Sequence, residues 1–315
     1  YGINIINSSN GGIINITGNA DDFDITGAGV YGVYIRNSSR INIIDSNLYG
    51  GNWTRGIIYY NSSNGFISNN NLFSVEYGLQ ISSSSDNNIT NNNITIRDNY
   101  GIFLISSSNN NIKNNNVSAS MYGIQLSLSS DNNNITNNNV TSTGRFGISL
   151  SSSSDNNITY NNVSAGEKGL NVVTNSNNNK ITDNKITSED KTIYLTLSSD
   201  NNIINNNVTA LDDHAIYLYK SLNNTISNND VTALDDHAIT LTSNSHNNNI
   251  TNNNLTGDRY AIRLWGTSSN NTITNNRFKT ITSNLILDGS GSVTNSLIYN
   301  NSYGKVSWFD KTDLS

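Results

Sequence analysis

The octapeptide Thr-Ala-Leu-Asp-Asp-His-Ala-Ile occurs twice, at 209–216 and 232–239. Two adjacent carboxylates followed by an imidazole can hold a hard cation, exchange protons with a substrate, or simply form a solvated acidic edge. The copies are 23 residues apart; one such step earlier Glu189 and Asp190 precede Lys191, and one step later Asp258 and Arg259 precede Tyr260. If this step is one structural repeat, Asp212-Asp213 stacks on Asp235-Asp236 and His214 meets His237, flanked by Lys191 and Tyr260. Seven carboxylates then share one edge of four successive repeats.

Three chemistries follow. Glu189, Asp190, Asp212, Asp235 and Asp258 offer several oxygen ligands and no thiol, a set suited to Ca²⁺. Asp213, Asp236, His214, His237 and Arg259 are candidate catalytic groups, because paired carboxylates about 5 Å apart can serve glycoside hydrolysis. The third reading is a solvated acidic edge partly neutralised by His, Lys and Arg, its residues copied because the repeat was copied. No cofactor is required by any of these, and Ca²⁺ is the one that the acidic set could take. Beside that edge Tyr194, Tyr217 and Arg263 are expected to point outward, with Tyr219 and Trp265 two residues further on. Exposed aromatics on a rigid sheet stack on sugar rings or pack on one another.

What must position these groups is visible along the whole chain. A small residue followed by alternating apolar residues recurs at Gly32, Gly56, Gly78, Gly101, Gly123, Gly147, Gly169, Thr192, Ala215, Ala238, Ala261 and Asn284, in steps of 22 to 24 residues. A second block, Ile-x-Asn-Asn-Asn-Val-Thr, runs in register with the first. Its leading position holds Ile89, Ile112, Ile135, Ile158, Ile181, Ile203, Ile226, Ile250 and Ile273. Period-two alternation is the strand signature, and no helical period competes. Three short strands separated by Ser/Asp/Asn corners fill one such step, so the chain is predicted to be all-β.

Two columns are entirely Asn, one running from Asn87 to Asn271 and the other from Asn92 to Asn276. Corners need residues that tolerate left-handed backbone, which favours Asn, and amides stacked about 4.8 Å apart can bond as a ladder. The fold expected is a right-handed, single-stranded parallel β-helix of about 13 coils of about 23 residues over 1–302, roughly 60 Å long. Residues 303–315, with Tyr303, Trp308 and Phe309, break the period and read as a cap or the start of a linker. The start of the chain shows no such cap, which suggests further coils, another domain or a neighbouring subunit upstream.

Composition agrees with a solenoid. Asn occurs 66 times, Pro and Cys are absent, and 34% of residues are hydrophobic, too few for a broad globular core. A net charge of −6 argues against nucleic acid, and no run of 18 apolar residues is present to insert directly into a membrane. Asn-x-Ser/Thr triplets such as those at Asn93, Asn116 and Asn139 match the glycan-acceptor pattern of secreted proteins, but most arise from the repeat itself and at most a subset is expected to be modified.

The recurring Ser-Ser-Asp-Asn-Asn-x-Ile-Thr-Asn-Asn-Asn-Val-Thr unit resembles the repeats of NosD-like proteins, within the wider group of carbohydrate-binding and sugar-hydrolysing β-helix domains. Asn-rich versions resemble large archaeal surface proteins. The resemblance covers about residues 30–300 and implies the fold; the same fold hosts lyases, hydrolases, adhesins and structural rods. The Asp-Asp pair before a strand resembles the polygalacturonase arrangement, but further Asp, His and Arg-Lys motifs are lacking, with only Arg259 and Arg263 nearby. Lyases of this fold imply Ca²⁺ with an Arg or Lys base, which would fall to Arg259, Arg263 or Lys191. NosD-type copper maturation fits poorly with three His, one Met and no Cys. The reading taken forward is an extracellular, cell-surface structural or adhesive module contacting a glycan surface or neighbouring copies in an oligomer, filament or surface layer. The alternative is a polysaccharide lyase or glycoside hydrolase acting on an acidic polysaccharide.

Overall fold

The computed structural model describes residues 3–8, 13–14, 17–19, 31–49, 55–280, 286–288, 296–299 and 301–303. Every element among them is a strand, paired in parallel with its counterpart one period away. The all-β solenoid expected from the period is therefore what the chain builds. Its contacts divide it into two units, Tyr1–Val163 and Ser164–Ser315. The residues read as a C-terminal cap lie, from Gly304 onward, outside the described residues.

In the first unit the inward columns fall in register: Leu79 on Ile102, Ile124 and Ile148; Ile89 on Ile112, Ile135 and Ile158; Ile94 on Val117 and Val140. All of these side chains are buried. Burying such a side chain stabilises by roughly 1.5–3 kcal/mol, so the core gains from many thin layers rather than one thick one. The small-residue column has a steric cause: a Cβ at Gly101 would collide with Val117 and with the carbonyl of Gly123.

The second unit repeats the scheme. Leu170, Ile193, Ile216, Ile239 and Ile262 stack on one sheet, and Ile181, Ile203, Ile226, Ile250 and Ile273 on the next. The third column runs Ile186, Val208, Val231, Leu255 and Phe278. Here Ala215, Ala238 and Ala261 occupy the small position and are fully buried.

Both Asn columns form ladders. Asn206 is typical: its Oδ1 accepts the backbone N–H of Asn184 at 2.9 Å and its Nδ2 at 3.0 Å. Its own Nδ2 donates to the Ile181 carbonyl at 2.9 Å and to Asn229 Oδ1 at 3.0 Å. One amide thus ties three successive coils and leaves none of its polar atoms unpaired.

The expectation that these same Asn would carry the left-handed backbone is corrected. The positive φ lies one residue earlier, at Asn91, Asn114 and Asn137 in the first unit and Asn205, Asn228 and Asn252 in the second. The ladder residue must turn its side chain inward, so the strain of reversing the chain falls on its exposed neighbour. A third, unforeseen ladder shares the corner of the Asn87 column, where the backbone N–H of Ser84 donates to Ser107 Oγ and that of Ser198 to Ser221 Oγ.

Asn206→Ala should lower stability by about 2–4 kcal/mol, since it strands two Asn184 donors and the Ile181 carbonyl. Ala at exposed Asn207 should change it by less than about 0.5 kcal/mol. Denaturant titration followed by circular dichroism distinguishes the two.

Candidate functional site

All the acidic candidates belong to the second unit. They sit in the turns that lead from the strands Lys185–Ser188, Asn207–Ala210, Asp230–Ala233 and Asn254–Gly257 into Ile193–Thr196, Ile216–Tyr219, Ile239–Thr242 and Ile262–Trp265. Backbone bonds lock these turns in register: Asp212 N–H to the Glu189 carbonyl at 2.8 Å, Ala215 N–H to His237 at 3.1 Å, Ala238 N–H to Tyr260 at 3.1 Å. The stacking predicted for 189–191, 212–214, 235–237 and 258–260 therefore holds.

The turn separates the paired acids. Glu189, Asp212 and Asp235 are exposed, whereas Asp190, Asp213 and Asp236 are half-buried and face the neighbouring side chains. Asp258 is half-buried as well. Lys191 Nζ lies 2.9 Å from Asp190 Oδ1 and 2.6 Å from Asp213 Oδ2, while Lys168 Nζ reaches Asp190 Oδ2 at 3.1 Å. Cation and carboxylate alternate from coil to coil, which relieves the repulsion that stacked like charges would suffer. Burial alone would push the Asp190 carboxyl up, but its hydrogen bonds, to Asp213, Lys191 and Lys168, hold it well below the usual carboxylate range.

Beyond Lys191 the cation column becomes imidazole. His214 Nδ1 stands 3.4 Å from Asp213 Oδ1 and 3.5 Å from Asp236 Oδ2; His237 Nδ1 is 2.8 Å from Asp236 Oδ1. The two rings stack at 5.0 Å and 16°, with Tyr217 parallel against His214 at 5.1 Å and Tyr260 edge-on to His237 at 5.0 Å. Close as they are, His214 Nδ1, His237 Nδ1 and Asp236 Oδ1 make no well-aligned hydrogen bond. Burial, reinforced by Lys191 and Arg263, pushes the His214 imidazole down to about 3. Burial, His214 and Arg263 do the same for His237, also to about 3. The Asp236 carboxyl is raised, chiefly by burial.

The aromatic candidates occupy two outward rows of the adjoining strands. One runs Tyr194, Tyr217, Thr240, Arg263 and the other Thr196, Tyr219, Thr242, Trp265. Tyr194 and Tyr217 stack at 5.6 Å, and Lys191 Nζ lies 5.5 Å from the Tyr217 ring centre. Those two rings are engaged with neighbours of the protein itself. Trp265 is different: it is 41% exposed, and the Arg263 guanidinium lies 4.4 Å from its ring.

Of the catalytic candidates, Asp213, Asp236, His214 and His237 are brought together. Arg259 contributes its backbone N–H to the Asp236 carbonyl at 3.3 Å, and its charge lowers the pKa of Asp236. The calcium candidates do not converge as a group, since Glu189, Asp212 and Asp235 point to solvent and Asp190 is bound by two lysines. Among the described residues the set with metal-ligating atoms within 4.8 Å of one another is His214, Asp236 and His237.

Lys168 and Glu167 were missed, although a signal was present. The residue preceding the small one reads Lys168, Lys191, His214, His237, Tyr260 at constant spacing. In the first unit the same position holds Arg55, Tyr77, Tyr100, Tyr122 and Phe146. There Tyr77–Tyr100 and Tyr100–Tyr122 stack at 5.1 and 4.7 Å, and Arg55 caps Tyr77 at 4.8 Å. No helix among the described residues is long and apolar enough to cross a membrane.

A family model described as a right-handed β-helix region matches residues 1–140 and 126–278. No curated protein sequence matches. Among solved structures, the A-module of mannuronan C-5 epimerase from Azotobacter vinelandii is similar with a TM-score of 0.68 at 15% identity, covering 94% of this chain and 91% of that one. The Dettilon tailspike protein gives 0.62 at 16% over 80% of this chain and 60% of its own, so this chain spans three fifths of its length. PfbA, a surface adhesin of Streptococcus pneumoniae, gives 0.56 at 13% over 87% and 91%. At such identities the likeness concerns the fold.

Folded His214 and His237 titrate far below the unfolded value of about 6.5, so the folded state binds fewer protons than the unfolded chain between about pH 6.5 and 3. Their contribution is complete above that window and is lost as pH falls through it. Thermal melts in chelator-treated buffer should show Tm dropping between pH 7 and 4. In the His214→Gln, His237→Gln double variant that drop should shrink by at least half.

Proposed function

The chain belongs to the right-handed β-helix family, and on that footing we propose that it works outside the cell as a carbohydrate-binding module whose outward strand face at Tyr219, Arg263 and Trp265 docks an acidic polysaccharide. The observation that carries this is Trp265. A large indole left 41% exposed on a rigid strand, with a guanidinium at 4.4 Å, offers an apolar face for a sugar ring and a cation for its carboxylate. Arg263 has no ion-pair partner among the described residues, although its charge is felt by His214, His237 and Asp236. The fold likeness to a tailspike, a surface adhesin and a polysaccharide epimerase supports the same direction.

A second reading rests on a separate observation. Lys191, Asp213, His214 and Tyr217 bring an ammonium, a carboxylate, an uncharged imidazole and a phenol into mutual contact. Such a set could take one proton, from the sugar ring in a lyase or from water in a glycoside hydrolase, and give one to the departing glycosidic oxygen.

Calorimetric titration with polyuronates and with neutral glucans tests the first reading. Binding should favour the polyuronate, and Trp265→Ala should weaken it about tenfold, the loss of ~1.4 kcal/mol expected for one aromatic stacking contact. Equal affinity for both polymers, or no change in Trp265→Ala, overturns it. Assays for new reducing ends and for unsaturated products on the same polymers decide the second, with Asp213→Asn plus Asp236→Asn as the inactive control.

A further inference from the structure

The least explained atoms in the molecule are three buried ones that face one another without bonding. His214 and His237 keep only 6% and 3% of their surface exposed, and both Nδ1 atoms lack a hydrogen-bond partner, as does Asp236 Oδ1 beside them. An unpaired buried polar atom costs roughly 1–3 kcal/mol, and three at one point are hard to reconcile with a site complete in itself. Repacking does not offer an easy escape. His214 is clamped flat between Tyr217 and His237, and Tyr260 closes the far side.

We propose that His214 Nδ1, His237 Nδ1 and a carboxylate oxygen of Asp236 form a binding site for one divalent transition-metal ion of the zinc class. Two imidazoles and one carboxylate are the borderline donors such an ion takes, and an oxygen-seeking ion such as Ca²⁺ is poorly served by them. The separations fit. His237 Nδ1 and His214 Nδ1 lie 2.8 and 3.5 Å from the two Asp236 oxygens, and one ligand atom from each of the three residues falls within 4.8 Å of the others. Ligands each about 2.0–2.2 Å from a tetrahedral Zn²⁺ are separated by somewhat less than 4 Å, so small side-chain shifts complete the site. Asp213 Oδ1 accepts the His214 backbone N–H at 2.7 Å, which steadies the turn that carries the ring. Three protein ligands leave a fourth position for water or for a ligand atom. The register supplies the geometry: Ile216 on Ile239 brings the two histidines, one coil apart, onto a common edge. This site stands apart from the Trp265 reading, and neither depends on the other.

The test uses the full chain stripped with chelator and titrated with Zn²⁺ by calorimetry and with Co²⁺ by visible absorption. One equivalent should bind, and Co²⁺ should give the intense bands of a four-coordinate nitrogen–oxygen site. His237→Ala and Asp236→Asn should each weaken Zn²⁺ at least 100-fold, with circular dichroism unchanged from wild type. His246→Ala should leave binding intact, because His246 Nδ1 is engaged with Ser269 at 2.9–3.0 Å. The proposal is overturned if wild type binds no stoichiometric Zn²⁺, if Ca²⁺ at equal concentration displaces it, or if His237→Ala binds as wild type does. Should His237→Ala not fold, histidine Nδ1 chemical shifts of the wild type decide: unmoved by one equivalent of Zn²⁺, they also refute it.

Discussion

Everything in this molecule depends on satisfying the backbone where the chain turns. Each corner takes peptide groups out of the strand ladders and leaves them buried, where an unpaired N–H is costly. The ladder amides answer that demand, since each Asn Oδ1 receives the main-chain N–H of the preceding coil, as Asn115 does for Asn92 and Asn253 for Asn229. Because each ladder amide must meet its counterpart one coil away, any change in coil length is taken up between the ladder positions, as the steps of 22, 23 and 24 residues are. Within each unit the period is enforced by hydrogen bonding at the corners as much as by Ile and Val inside.

A scaffold locked in register has a chemical side effect: whatever appears at one position of a repeat meets its own copy about 4.8 Å away. For Ile that is packing; for Asp it is repulsion. The second unit answers with two devices. Lys168 and Lys191 sit diagonally between carboxylates and bond to both neighbours. One coil further the cation is replaced by His214 and then His237, which burial keeps uncharged, so their stacking costs no charge repulsion. Neutral imidazoles beside Asp236 then leave polar atoms facing one another with no proton well placed between them.

Much of this was legible in the chain because period converts directly into proximity. The stacking of 212–214 on 235–237, and the outward Tyr and Trp rows, needed only a ruler of one repeat. What stayed hidden had local causes. In Asn91-Asn92-Asn93 three identical residues mask which one bends, which is ladder and which faces out, and only the backbone separates Asn91 (φ 56) from buried Asn92. The Ser ladder is masked in the same way by the run Ser82–Ser85, where only Ser84 is fully buried. Lys168 is less conspicuous because its coil carries the single acid Glu167 where the next three coils carry pairs. The carboxylates themselves were grouped by type, whereas the turn sorts them by side, sending Asp212 and Asp235 outward and keeping Asp213 and Asp236 in.

The ladders also bear on how such a chain ages. Asparagine decays when the backbone nitrogen of the next residue attacks its side-chain amide, which is why Asn-rich proteins are short-lived when hot. Here that nitrogen is spoken for: the N–H after Asn92 bonds to the Asn70 carbonyl, and the one after Asn206 to Asn184, each at 2.8 Å. The amide is held at both ends as well, Asn92 Nδ2 by Ile67 and Asn115 and its Oδ1 by Asn70. The residues that look most perishable in the composition are thus the ones least able to react, and spontaneous damage should concentrate in the exposed Asn instead.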